Sequence, residues 1–187
     1  MSTPTSLKLD VFLGLDETEP PSELICGEVV QKPMPSPHHG MLVAELSALL
    51  RNHLRTSREG VVLVEPRHVL RSEERAYLPD ISVIRSEHFP KDPEALRRGP
   101  IETGPDLAVE VLSPDDRPGR VAEKLAFYLR ANTPLVWVID PAEQTVAVHR
   151  PGQASTIHRP GDTIDATPVL SGFALDVAAL FAALGAP

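Results

Sequence analysis

A short apolar strand that carries one carboxylate and runs into a helix that carries one lysine is the feature that most constrains this chain. The run from Leu107 to Leu112 is bounded by Pro105 and by Ser113-Pro114, and its length and valine content predict a buried strand rather than a helix. Glu110 lies in the middle of this run. A carboxylate taken out of water is strongly disfavoured unless it is paired, hydrogen-bonded or bound to a metal. The sequence therefore predicts a partner for Glu110 elsewhere in the chain.

The overall composition indicates one globular domain. The chain has 187 residues, of which 42% are hydrophobic and 24% charged, which is ordinary for a soluble protein with a single core. We expect a cytoplasmic protein, because no apolar run is long enough for a membrane span and the polar N-terminus lacks a signal-peptide pattern. Cys26 is the only cysteine, which excludes an intramolecular disulfide. The net charge of -8 excludes a generic basic coat for nucleic acid but allows a local basic face.

Hydrophobic spacing predicts helices and strands in an order typical of an α/β fold. Ser36-Pro37 is the pair expected at a helix start, and residues 37–57 carry leucines at helical spacing. Pro118 can start a second helix, and Asp176 can cap a closing one. The segments predicted to be extended are 23–30, 61–64, 68–70, 77–84, 107–112, 135–139, 145–149 and 155–158. We expect 68–70 to pair with 61–64, the last two segments to form a hairpin, and the central elements to form a mixed sheet with helices packed on it.

Asp80, Glu110 and Lys124 occupy three consecutive elements of this predicted core. Mg²⁺ prefers oxygen ligands and keeps several waters, so two strand carboxylates make a suitable site. The metal lowers the pKa of a bound water and stabilises charge on a phosphodiester, while a nearby ammonium orients that water. Lys124 lies at the border of the apolar stripe of its helix, from where it can reach inward. The combination predicts phosphodiester hydrolysis with Asp80 and Glu110 as ligands of Mg²⁺ or Mn²⁺ and Lys124 positioning the water.

Each of these three residues also has a plain structural interpretation. Asp80 follows a proline, where strand-edge and turn aspartates are common. Lys124 alone would be a surface lysine with a buried stem. Glu110 alone would be as well explained by a structural ion pair with an arginine, for which the candidates are Arg71, Arg85 and Arg120. A non-catalytic module that binds nucleic acid or a protein partner therefore stays open as an alternative.

Histidines and arginines add weaker signals. His38 and His39 are adjacent, so they cannot present two ligands on one helix face, and no zinc spacing is present. His39 can still line the site, because donors at the start of a helix point toward anions. Arg51, Arg55 and Arg58 share the polar face of the first predicted helix. They are candidates for contacts with a phosphate backbone, although such a row is usually only a solvated face.

Six segments resemble, in order and spacing, the Uma family of predicted bacterial restriction endonucleases, which belongs to the PD-(D/E)xK nuclease superfamily. These segments are Glu23–Glu28, Pro35–His39, Pro79–Val83, Gly104–Pro114, Lys124–Tyr128 and Val136–Pro141. The resemblance implies an α/β fold with a restriction-endonuclease-like core, a central mixed sheet flanked by helices, added N-terminal strands and a C-terminal hairpin. It divides the single domain into an N-terminal extension with strands, a nuclease-like core, and a C-terminal hairpin and helix, at residues 1–35, 36–142 and 143–187.

The resemblance also implies Mg²⁺-dependent cleavage of nucleic acid, with DNA as the expected substrate. It assigns metal ligation to Asp80 and Glu110. A homodimer is expected, because cleavage of two strands is often shared between two symmetric subunits.

Several positions depart from or extend this pattern. In the superfamily the lysine stands two residues after the second acid, where this chain has Leu112. The usual replacement in the family is a lysine on the following helix, which matches Lys124. Glu23 aligns with the acid of the first strand of the family and His39 with the histidine that opens its first helix, so both are candidate site-lining residues. Arg120 stands where family members often carry an acid, which changes the local charge.

Overall fold

The computed structural model describes residues 6–185, apart from the side chains of Ala95 and Arg98. The outermost residues of the predicted extension and C-terminal part, 1–5 and 186–187, lie outside this range. The helices are α1 (Leu9–Leu13), α2 (Pro37–Ser57), α3 (Pro93–Arg98), α4 (Pro118–Arg130) and α5 (Val177–Ala182). The strands are β1 (Ser22–Ile25), β2 (Glu28–Gln31), β3 (Gly60–Val64), β4 (His68–Leu70), β5 (Arg75–Tyr77), β6 (Ile81–Arg85), β7 (Leu107–Val111), β8 (Leu135–Asp140), β9 (Thr145–His149), β10 (Thr156–His158), β11 (Thr163–Asp165) and β12 (Ala174–Asp176).

A mixed six-stranded sheet forms the centre of the fold, in the order β10-β9-β8-β7-β6-β3. β7 and β8 run parallel and are connected through α4, whereas the other neighbouring pairs are antiparallel. The predicted hairpin of β9 and β10 forms one edge of this sheet. The sheet with its flanking helices confirms the predicted fold class.

The two faces of β7 are covered by different helices. Leu107, Val109 and Val111 share a hydrophobic cluster with the buried leucines of α2. Those leucines are Leu42, Leu46, Leu50 and Leu54. Ala108 packs instead with α4. Because side chains alternate along a strand, Glu110 shares the α4 face with Ala108.

A second sheet, in the order β2-β1-β5-β4, lies outside the central one. The expectation that residues 68–70 pair with 61–64 is wrong, because β4 pairs with β5, whereas β3 pairs with β6. A 3₁₀ turn, Arg71–Glu73, followed by Glu74 at a φ of 54°, reverses the chain directly after β4. The turn makes β4 and β5 a local hairpin, which the sequence pattern of isolated extended segments did not reveal.

The C-terminal part closes the core beside α2. The carboxylate of Asp176 accepts a hydrogen bond from the Ala179 N–H at 3.1 Å, which confirms the predicted cap of α5. Leu180 and Phe181 of this helix join the same hydrophobic cluster as the α2 leucines. Within residues 6–185, no helix has the length and apolar character needed to cross a membrane.

His68 is a buried histidine in the second sheet, 1% exposed. Its Nδ1 lies 2.6 Å from the carbonyl oxygen of Thr103, and its Nε2 lies 3.1 Å from the Ser82 hydroxyl. A carbonyl oxygen can only accept, so Nδ1 donates and Nε2 accepts from Ser82. Burial lowers the pKa of His68 from 6.5 to about 4, so the ring is neutral in the folded protein at neutral pH.

We expect this histidine to make the fold sensitive to mild acid. The unfolded chain takes up the proton first, so the contribution of His68 to stability is complete above pH 6.5 and is lost as the pH falls toward 4. The difference in free energy of unfolding between the wild type and His68→Gln should shrink by about 2 kcal/mol between about pH 7 and pH 4.5. Urea unfolding at both pH values measures it, and a constant difference would contradict the assignment.

Candidate active site

Asp80 lies immediately before β6, where it is 2% exposed and both of its oxygens have partners. Oδ2 accepts a hydrogen bond from the Val111 N–H at 2.7 Å, and Nε2 of His39 lies 3.3 Å from the same oxygen. Oδ1 accepts from the ammonium of Lys32 at 2.7 Å. Because Val111 directly follows Glu110, this bond places Asp80, just before β6, close to Glu110 near the end of β7.

Glu110 finds its partners on α4. Its Oε2 accepts from Lys124 Nζ and its Oε1 from the Tyr128 hydroxyl, both at 2.6 Å. Lys124 and Tyr128 stand one turn apart, so the same face of the helix presents both donors to β7. The partner that the buried carboxylate required is therefore the predicted lysine together with a tyrosine.

The arginines that were considered as structural partners of Glu110 form ion pairs elsewhere. The pairs are Arg71 with Asp10 and Glu102, Arg85 with Glu87, and Arg120 with Glu28 and Glu123. The arginine interpretation of Glu110 is therefore wrong.

Glu23 reaches the same site from β1. Its Oε1 lies 3.1 Å from Lys124 Nζ and accepts a hydrogen bond from the Leu78 N–H at 2.8 Å. Glu23 is 4% exposed, and the bond to Leu78 joins the second sheet to the segment that enters β6. The structure thus brings together all five predicted residues of the site, since Glu23 and His39 lie beside Lys124 and Asp80.

Sequence reasoning missed Lys32 and Tyr128. Lys32 directly follows β2, an edge strand of the second sheet, and no spacing in the sequence relates it to β6. The rarity of lysine was a usable signal, because the chain has only four lysines and two of them lie in this site. Tyr128 follows Lys124 by four residues, so the helical spacing of a tyrosine after the lysine was the available signal.

Charge decides the ionisation of Asp80. Burial alone would raise its pKa, but the hydrogen bond from His39 and the positive charges of Lys32 and Lys124 hold the pKa well below its usual range. Asp80 is therefore a carboxylate at neutral pH.

Glu110 and Lys124 form a coupled buried pair. Burial raises the pKa of Glu110, with Lys124 opposing this and the negative charge of Asp80 adding to it. Burial also disfavours the charged amine of Lys124, but Glu110 and Glu23 outweigh it and raise its pKa. The site thus holds two carboxyl groups whose pKa values are shifted in opposite directions, which is typical of catalytic centres as well as of structural charge networks.

These side chains line one cavity of about 370 Å³. Its walls come from the β1–β2 hairpin, the start of α2, the residue before β6, the end of β7 and the start of α4. Arg117 and Arg120 lie on the α4 side. The cavity is within the size range of small-molecule sites.

The donor set of the cavity fits a magnesium ion that keeps most of its waters. Within the described residues, no three His, Cys, Asp or Glu side chains stand close enough together to hold a metal by themselves. Mg²⁺ needs only one or two protein carboxylates, because water fills its other positions. Asp80 and Glu110 supply two carboxylates. For the ion to bind them, an ammonium that now contacts one of their oxygens must move away from it.

Arg51, Arg55 and Arg58 lie exposed on α2 or at its end. In the part of the chain that the structure describes, no carboxylate forms an ion pair with any of the three. Their suggested contact with phosphate groups stays a prediction.

A family model named Uma2 and described as "Putative restriction endonuclease" matches residues 6–178. The chain belongs to the Uma2 family. The match confirms the family resemblance drawn from the six sequence segments. None of the curated proteins compared with this Uma2 chain matches it.

A solved structure supports the same assignment. A crystal structure is known for a "putative nuclease belonging to DUF820" from Anabaena variabilis. Its sequence is 32% identical to that of this Uma2 protein, and the two structures superpose with a TM-score of 0.86. The match covers 95% of this chain and 99% of that chain. The Uma2 protein therefore resembles, over nearly its whole length, a protein described as a "putative nuclease".

Proposed function

We propose that this Uma2 protein is a metal-dependent endonuclease that hydrolyses phosphodiester bonds of DNA. The observation that carries the proposal is the meeting of Asp80, Glu110 and Lys124 at one cavity, with Lys124 Nζ 2.6 Å from Glu110. Two carboxylates and one ammonium are the groups that metal-assisted hydrolysis of a phosphate diester uses. Family membership supports the same class of reaction.

In this proposal Asp80 and Glu110 hold Mg²⁺ or Mn²⁺. The bound ion would supply a water of lowered pKa and offset negative charge on the phosphodiester. Asp80 suits this role because its lowered pKa keeps it ionised at neutral pH. The Val111 N–H fixes one oxygen of Asp80 and so orients the other.

Lys124 positions the attacking water and stabilises charge on the phosphate. Glu110 and Glu23 raise the pKa of Lys124, so its amine stays charged at neutral pH. An ammonium donates three hydrogen bonds, and among the described residues two carboxylates contact this one. The remaining donor direction can serve a water or a phosphate oxygen in the cavity.

DNA approaches, in this proposal, along the α4 side of the cavity. Arg117 and Arg120 lie there and supply local positive charge. With a net charge of -8, the protein depends on such local patches to contact phosphate groups. Pairing of two copies would let each site cut one strand, so a homodimer remains part of the proposal.

A non-catalytic module on the same fold is the second candidate. The observation that favours it is that each oxygen of Asp80 and Glu110 already has a hydrogen-bond donor. In that case the charge network only stabilises the core, and any nucleic acid or protein partner binds without being cut.

Cleavage assays separate the two candidates. The protein is incubated with supercoiled plasmid and with linear DNA in Mg²⁺ or Mn²⁺, with and without a chelator, beside Asp80→Asn. Asparagine can still accept from the Val111 N–H but offers a weaker metal ligand. We expect cleavage by the wild type with either metal and none with the chelator or the variant. DNA binding without cleavage, and no metal binding by calorimetry, would favour the module.

A further inference from the structure

Lys32 holds a set of oxygen atoms of the kind that a hard divalent cation prefers. Its Nζ lies 2.7 Å from Oδ1 of Asp80, 3.2 Å from the carbonyl oxygen of Leu78 and 3.2 Å from Oε1 of Glu65. Two carboxylates and a main-chain carbonyl are common ligands of Mg²⁺ and Ca²⁺. An ammonium therefore occupies, in this structure, a position that suits a metal ion.

The two oxygens of Asp80 differ in how easily they can be released. Oδ2 is bound by the Val111 N–H at 2.7 Å, and this donor is fixed in the backbone beside β7. Oδ1 is bound by the end of a long side chain, which can rotate away. A cation that takes Asp80 as a ligand must therefore compete with Lys32 for Oδ1.

We propose that Lys32 is an internal cation that holds the metal-free site closed and must leave Asp80 before a divalent ion binds there. This inference rests on the proposed function, because it concerns the same carboxylate. Lys32 is then a positioning residue: it keeps Asp80 charged and oriented in the absence of metal, and it sets the metal concentration at which the site fills.

The route by which Lys32 leaves is a side-chain movement. Its backbone N–H donates to the Pro21 carbonyl oxygen at 2.9 Å, so the main chain stays tied at the base of the β1–β2 hairpin. The side chain of Glu65 is 45% exposed, whereas that of Asp80 is 3% exposed. The ammonium can thus keep its contact with Glu65 while turning from the buried acid toward solvent.

Lys124 lacks such a route. Its two acidic partners, Glu110 and Glu23, have side chains that are only 10% and 5% exposed. Moving this ammonium outward would leave both carboxylates buried without a cation, which is strongly unfavourable. Of the two lysines, Lys32 is therefore the one that yields.

Calorimetric titration of Mg²⁺ and of Mn²⁺ into the whole protein tests the inference. The test variant is Lys32→Met. The matched control is Lys91→Met, which removes an exposed lysine from the loop before α3. Because Lys32 competes with the ion, Lys32→Met should bind Mn²⁺ roughly tenfold or more tightly than the wild type, while the control should be unchanged. Asp80→Asn should bind neither Mg²⁺ nor Mn²⁺ at the concentrations at which the wild type binds them.

Each outcome bears on a different statement. Suppose that the wild type and Lys32→Met bind Mn²⁺ with equal affinity and that Asp80→Asn does not bind it. This result would overturn the role of Lys32 and leave the proposed function standing. Weaker binding in Lys32→Met would also overturn it, since Lys32 would then support the ion. Binding in none of the proteins, with no cleavage of DNA, would remove the proposed function itself.

Amine labelling of the unmodified protein provides a measurement that does not depend on how the variant folds. An amine-reactive ester is added with and without Mn²⁺, and the modification of each lysine is measured by mass spectrometry. We expect Mn²⁺ to increase labelling of Lys32 several-fold and to leave Lys124 and Lys91 unchanged. Unchanged labelling of Lys32 at a Mn²⁺ concentration that saturates the calorimetric site would overturn the inference.

Discussion

Replacing Lys124 by methionine is expected to lower the free energy of unfolding by about 3–5 kcal/mol, because it leaves Glu110 and Glu23 buried without their shared cation. Methionine keeps most of the apolar stem of lysine, so the loss reports the missing charge rather than a cavity. Tyr128 still donates to Glu110 but cannot neutralise it. Cleavage of DNA should be lost in the same variant.

The loss of stability in Lys124→Met should increase with pH. Burial and the charge of Asp80 raise the pKa of Glu110, and in the variant Lys124 no longer opposes them. A carboxyl whose folded pKa lies above its unfolded value of 4.5 favours folding when protonated. Its contribution is present at low pH and is lost as the pH rises through the folded pKa, so the variant should weaken between about pH 5 and 8.

Urea unfolding at several pH values measures both effects. Lys91→Met serves as the control, and because Lys91 is exposed its free energy of unfolding should stay within about 0.5 kcal/mol of the wild type. A Lys124→Met protein as stable as the wild type across this range would show that Glu110 does not depend on Lys124 for its charge.

Replacing Glu110 by glutamine is expected to give the opposite combination, a nearly unchanged fold and a large loss of cleavage. The amide oxygen can accept from Lys124 while the amide nitrogen donates to the Tyr128 hydroxyl oxygen, and Lys124 keeps Glu23 at 3.1 Å, so no buried charge is left alone. We expect the free energy of unfolding to change by no more than about 1 kcal/mol. The rate of cleavage should fall roughly a hundredfold to a thousandfold, because one of the two proposed metal ligands is gone.

Plasmid cleavage, Mn²⁺ calorimetry and urea unfolding of the same Glu110→Gln sample provide the test. Glu143→Gln removes an exposed glutamate and should behave as the wild type in all three. Full cleavage by Glu110→Gln would exclude Glu110 as a metal ligand. A large loss of stability with unchanged metal binding would assign Glu110 to the core rather than to the chemistry.

Local sequence patterns were sufficient where local forces decide the structure. The first major helix was predicted at residues 37–57 and is observed as Pro37–Ser57, because a serine cap, a proline at the first position and spaced leucines all act within the segment. The strand β7 was predicted from its apolar run and the prolines around it. The pairing of β4 with β5 was not predicted, because it depends on a turn that ends in a single residue at positive φ, Glu74.

The candidate site divides in the same way. Asp80, Glu110 and Lys124 follow one another on consecutive elements of one sheet and its crossover helix, so their order in the chain already brings them to one end of the core. Tyr128 follows Lys124 by one turn and so shares its direction. Lys32 and Glu23 come from a different sheet, and only the docking of that sheet against the core brings them to Asp80 and Lys124.

The sequence by itself determined that a buried glutamate must be paired and that a lysine of the next helix is within its reach, because burial and helical periodicity are properties of short segments. The tertiary structure alone decided how the charges of the site are shared. Two sheets meet at the cavity, and their meeting places Glu23 against Lys124 and Lys32 against Asp80. Contacts between segments far apart in the chain depend on packing, and packing leaves no periodic pattern in the sequence from which they could be read.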